Sequence, residues 1–139
     1  MRDQILRGYE LLNARDRTAF EDHVQTYFAP DIEVVGPDGI KDLAGALTGW
    51  LALLDAFEDL TFDLLTVTES DSRVVLEHLF HGTHTGPLTT VAGDLPATGR
   101  AVQLPLVTVV EHEDGQVRRW RSYHDQLALL TQLGVLPGG

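Results

Sequence analysis

The chain is 139 residues long, 43% apolar and 22% charged, a balance that fits one domain with a real core and is too apolar for a disordered chain. Acidic residues outnumber Lys and Arg by 21 to 10, a formal net charge of −11, and that field repels the phosphates of nucleic acids and of anionic lipid surfaces, so neither is expected as a partner. With no cysteine, disulfides, thiolate metal sites and cysteine nucleophiles are excluded, and with neither a signal-peptide core nor a spanning run at the N-terminus a cytoplasmic protein is expected.

Ile5, Leu6, Tyr9, Leu11 and Leu12 recur at helical spacing behind Asp3, and the polar stretch from Asn13 to Arg17 stops this first helix. Thr18 opens a second one as a capping box: its hydroxyl caps while Glu21 returns a bond to the Thr18 amide. Phe20, Val24 and Tyr27 or Phe28 form its buried stripe, and Pro30 ends it. Ile32 to Val35 is a short β-branched run closed by the turn Gly36-Pro37-Asp38-Gly39. A third helix begins near Asp42, with Leu43, Leu47, Trp50, Leu51, Leu54 and Phe57 three or four residues apart.

From Thr61 the period changes from that of a helix to that of a strand. Segments 61–69, 73–85, 101–112 and 116–123 read as four strands in series, separated by Ser70-Asp71-Ser72, by Gly86 to Gly99 and by Glu113-Asp114-Gly115. Strands in series imply an antiparallel sheet. Asp125 to Leu133 returns to helical spacing, and Gly134 stands where a left-handed C-terminal cap belongs. The expectation is one α+β domain over residues 1–139: three N-terminal helices, a curved antiparallel sheet and a short C-terminal helix.

Several residue types in this framework could carry chemistry. His78, His81 and His84 recur every three residues, which would gather a metal on a helix. On a strand His81 faces away from the other two, and His78 and His84 lie about 20 Å apart, too far to share an ion; no metal is expected. Ser122, His124 and Asp125 are triad residue types, but near-neighbours on one strand seldom come within bonding reach, and no nucleophile elbow accompanies them. Glu77 stands in an apolar strand and needs water, an arginine such as Arg119 or Arg121, or a place in a pocket. Tyr9, Trp50, Phe57, Phe62 and Trp120 can wall an aromatic ligand or simply fill the core. Asp125 stands at a helix start, where aspartate is among the best caps.

Taken together, Gly82-Thr83-His84-Thr85-Gly86, Leu95 to Arg100, the Asp114-Gly115 hairpin, Trp120 to Asp125 and Leu129 to Gly134 resemble the SnoaL-like polyketide cyclases, over about residues 1 to 137. These belong to the nuclear transport factor 2-like, cone-shaped α+β superfamily. The resemblance implies a sheet curled round an internal apolar pocket, a homodimer formed through the outer face of the sheet, and no cofactor. The substrate would be a small apolar organic molecule bearing carbonyls, such as an aromatic polyketide ester. It also implies that Asp125, seven residues before Gln132 of the QLG motif, is the acid and base of an aldol ring closure. Tyr123, Ser122 or His124 would then bond the enolate, with Glu77, Tyr9, Trp50, Phe57 and Trp120 as further pocket residues.

Two neighbouring chemistries fit less well. Limonene epoxide hydrolases carry a W-R-D-Y pattern where this chain has Trp120-Arg121-Ser122-Tyr123, and ketosteroid isomerases carry a carboxylate where Gly36 precedes Pro37. An epoxide hydrolase or isomerase-like enzyme, and a binding domain without turnover, remain the alternatives.

Overall fold

In the computed structural model, which describes residues 1–90 and 93–135, two helices lead into the sheet. The ends of the expected 1–139 domain and of the 1–137 resemblance, beyond residue 135, lie outside the described residues. Helix α1 (Arg2–Asn13) buries Ile5, Leu11 and Leu12, and α2 (Arg17–Tyr27) buries Phe20 and Val24. Between them Arg15 adopts a left-handed backbone, φ 58°. Its guanidinium donates to the Leu54 and Phe57 carbonyls, tying the turn to the end of a later helix. That early turn corrects the expected Thr18 capping box. The cap is Asp16, whose side chain accepts from the Ala19 amide at 3.1 Å.

Strand β1 (Phe28–Gly36) starts before Pro30, so the proline lies within a strand and does not terminate the helix. It pairs with the short β2 (Gly39–Lys41) through the Pro37-Asp38 turn. Only then comes α3 (Leu43–Ala56), capped by Asp42. The expected three helices ahead of the sheet are therefore two, with the third inserted after the first two strands. Strands β3 (Thr61–Glu69) and β4 (Arg73–Thr83) follow, then a small separate ribbon, β5 (Leu88–Thr90) with β6 (Gly93–Leu95), inside the stretch expected only to turn. Strands β7 (Ala101–Glu113) and β8 (Gln116–Tyr123) and helix α4 (Gln126–Leu133) complete the chain.

The main sheet has the order β2-β1-β8-β7-β4-β3. All its pairs are antiparallel except β1 with β8, which are parallel, with Val34 opposite Trp120; the all-antiparallel expectation is corrected at this one junction. Register shifts interrupt the ladders at Phe28/Glu33, Leu64/Thr66 and Glu111/His112, and such bulges bend a strand. The inner face, with Val74, Leu76, His78 and Phe80 of β4 and Val102, Leu104, Thr108 and Val110 of β7, is buried. On the outer face Glu111 holds Arg121 at 2.7 Å and Arg73 at 3.0 Å, and those guanidinium groups keep its carboxyl below the usual range. No helix among the described residues is long and apolar enough to cross a membrane.

Candidate active site

Between the helices and the inner face of the sheet lies a cavity of about 530 Å³. Its wall is built from α1, α2, the β1–β2 turn, α3, the inner positions of β4, β7 and β8, and the start of α4. Aromatic rings form much of it. Trp50 packs at 5.5 Å from Trp120 and 5.8 Å from Phe28, and Tyr9 at 5.2 Å from Phe62.

Four elements bring polar groups together on this wall. Tyr9 of α1 places its hydroxyl 3.3 Å from Thr108 Oγ1 on β7 and 3.4 Å from His78 Nε2 on β4. His78 Nε2 lies 3.0 Å from Thr108 Oγ1, and Ser122 Oγ on β8 lies 3.4 Å from the same atom. Trp120 Nε1 donates to Ser122 Oγ at 3.1 Å. An indole can only donate, so the chain has a direction. Ser122 accepts from Trp120 and can donate to Thr108, and Thr108 can donate to His78 Nε2.

Burial holds the whole cluster neutral. It pushes the His78 ring down to about 4 and raises the Tyr9 phenol, against a smaller opposing effect of its bond with Thr108. Both shifts follow from removing the charged form from water. His78 Nδ1 has no hydrogen-bond partner among the described residues.

The nine residues singled out from the sequence divide between this wall and other places. Tyr9, Trp50, Trp120, Ser122 and His124 line the cavity, and His124 Nε2 lies 2.7 Å from Gln126 Oε1, which lines it too. Phe57, Glu77, Tyr123 and Asp125 are not on its wall. Phe57 is core, packed on Phe80 and His84. Glu77 is exposed and accepts from the Thr66 hydroxyl at 3.0 Å, while Arg119 and Arg121 turn to Glu111; of its three expected settings, water is the one found, and the arginine pair and the pocket are not. Tyr123 is 52% exposed. Asp125 is exposed, and its carboxylate accepts from the Ala128 amide at 3.0 Å as the cap of α4.

Thr108, Asp38 and Lys41 also stand on the wall, although nothing in the sequence singles them out for that place, and so does His78, whose spacing suggests only a metal ligand. The signal for His78 was its period-2 position between Leu76 and Phe80, both buried.

The short motifs behind the resemblance turn out to be framework. In Gly82-Thr83-His84-Thr85-Gly86, a Cβ on Gly82 would come within 2.8 Å of the Phe57 ring and one on Gly86 within 2.1 Å of the Asp55 carbonyl. Both glycines permit close packing on the end of α3. The buried His84 accepts from the Thr98 amide at Nδ1, Gly99 donates to the His84 carbonyl, and the His84 amide donates to Arg100. In the closing motif Asp125 caps α4, Gln132 bonds both backbone groups of Gln103, and Gly134 takes the left-handed cap at φ 72°.

A sequence model of the family described as SnoaL-like polyketide cyclase matches residues 3–133. Among curated proteins none matches. Solved structures with the same fold include a candidate SnoaL-like polyketide cyclase from Jannaschia sp. CCS1, at 23% identity and a TM-score of 0.83, covering 97% of this chain and 92% of that one. TsrD from Streptomyces laurentii follows at 22% and 0.80, covering 97% and 95%. A SnoaL-like polyketide cyclase from Agrobacterium tumefaciens C58 matches at 25% and 0.72, covering 96% and 97%.

Proposed function

Because the chain belongs to the SnoaL-like polyketide cyclase family, we propose that its cavity closes a ring in an apolar, carbonyl-bearing small molecule by aldol-type acid/base chemistry that needs no cofactor. The observation that supports this most is a neutral hydrogen-bonding cluster set in the wall of an otherwise apolar chamber. In such a closure a base removes a proton α to one carbonyl. The enolate carbon then bonds to a second carbonyl carbon of the same molecule, and the resulting alkoxide recovers the proton.

Tyr9 and Thr108 suit the enolate oxygen, since neutral donors fixed in a dry site stabilise charge where it develops. Trp50 and Trp120 suit the apolar body. The proton carrier in this reading is His124, an imidazole on the wall with a bonded neighbour to orient it. Asp125, to which the resemblance gives that role, serves here as a positioning residue that fixes the start of α4 beside His124.

Deuterium uptake at the methyl group of 2-acetylnaphthalene in heavy water tests the proton step without knowledge of the natural substrate. The protein should accelerate exchange, His124→Gln should lose roughly 100-fold or more, and Asp125→Asn should keep both fold and exchange. Loss in Asp125→Asn with full exchange in His124→Gln would return the role to Asp125. Binding of the probe with no exchange above buffer would make the domain a ligand carrier.

The same reading includes a homodimer through the outer face of the sheet, where Val75, Leu79, Val107 and Val109 are only half-buried. A monomer by sedimentation at micromolar concentration would remove that part.

A further inference from the structure

The chain has a single lysine, Lys41, and the fold sets it on the cavity wall. Among the described wall residues only Lys41 and Asp38 carry a formal charge, histidines aside. Both belong to the β1–β2 hairpin, and Lys41 Nζ lies 2.8 Å from Asp38 Oδ2.

The lysine stem is laid along α3. A Cβ on Gly45 would stand 3.6 Å from Lys41 Cβ, and one on Gly49 would stand 3.6 Å from Nζ. Glycine is the least favourable residue inside a helix after proline. Two of them one turn apart, both on the wall, leave a bare stripe that the lysine follows.

We infer that Lys41 selects ligands with an anionic end, an apolar body filling the chamber while a carboxylate replaces Asp38 on the Lys41 ammonium. This rests on the reading of the chamber as a small-molecule site. The exchange is one carboxylate for another. The Lys41 and Asp38 side chains are 39% and 46% exposed, so the resident pair sits partly in water, where such pairs are weak. Among the described wall residues Lys41 is the one fixed cation, since the Tyr9, His78 and Thr108 cluster is neutral, and the whole chain carries −11. A negative ligand is repelled by the protein at large and is held only where this one cation meets it.

Titration calorimetry with 1-naphthaleneacetate and its methyl ester, at low salt, tests the inference on the intact chain. The wild type should bind the acid roughly fivefold tighter than the ester, the scale of one partly exposed charge pair. Lys41→Met should abolish that preference, bringing acid and ester to equal affinity, and Asp38→Asn should widen it in favour of the acid. Equal affinities in the wild type, or a preference that survives in Lys41→Met, would overturn the role of Lys41 while the chamber reading stands. Failure of both probes to bind the wild type would overturn the chamber reading and the inference with it.

Discussion

His78 lies within β4 and His84 just beyond its end, and the chain treats them differently. Both are buried, at 3% and 0% exposure, both rings are held below their ordinary range by burial, and among the described residues one ring nitrogen of each has no hydrogen-bond partner. His84 is fixed by backbone: the Thr98 amide donates to Nδ1, so the proton sits on Nε2. His78 is held by hydroxyls of Thr108 and Tyr9, which can turn. A histidine locked by an amide serves the framework, whereas one bonded to rotatable hydroxyls on a cavity wall can adjust to a ligand.

The strongest way to separate the two is to remove His84. His84→Ala opens a hole and strands the Thr98 amide, and should cost about 2–4 kcal/mol in denaturant unfolding, with binding per folded molecule unchanged. A tolerant protein would show that the amide lock is not structural.

Acid offers the next test. With a folded-state value of about 4 against an ordinary 6.5, His78 takes up a proton in the unfolded chain well before it does so in the folded one. Its contribution is complete above pH 6.5, is lost as the pH falls from 6.5 to 4, and levels off below. The loss is on the order of 3 kcal/mol, with His84 acting in the same direction. His78→Leu should flatten this acid limb. Parallel stability profiles for the variant and the wild type between pH 7 and 4 would mean that the hydroxyl cluster accepts the proton freely.

The smallest effect belongs to the chamber's relay. Ser122→Ala removes the link between Trp120 and Thr108 and should cost about 1 kcal/mol, while amide exchange at Gly99 and His84 stays as protected as before. Faster exchange there would show the two histidine sites to be coupled.

Much of the framework was legible because it is local. The alternation in β4 marked its inner face, and Gly134 marked the end of α4. The Thr18 box failed because Arg15, reaching across to Leu54 and Phe57, turns the chain so that the helix is capped two residues earlier, at Asp16. The site was legible only in part. Tyr9, Trp50 and Trp120 stand out as aromatics, but the cluster around Thr108 draws one group each from α1, β4 and β7 and two from β8, and no spacing in the sequence announces it. The quoted motifs were conspicuous for the opposite reason, being short segments folded back on themselves.

The parallel join of β1 to β8 has a kinetic consequence. These strands lie near opposite ends of the chain, and closing so long a loop is entropically slow, whereas the β3–β4 and β7–β8 hairpins need only short turns. The hairpins are thus expected to condense early, with β1 and the helices before it docking last. A chain that stops short of β8 leaves β1 without its parallel partner and lacks the wall that Trp120 and Ser122 provide. Ligand binding would therefore report that β8 has joined the sheet.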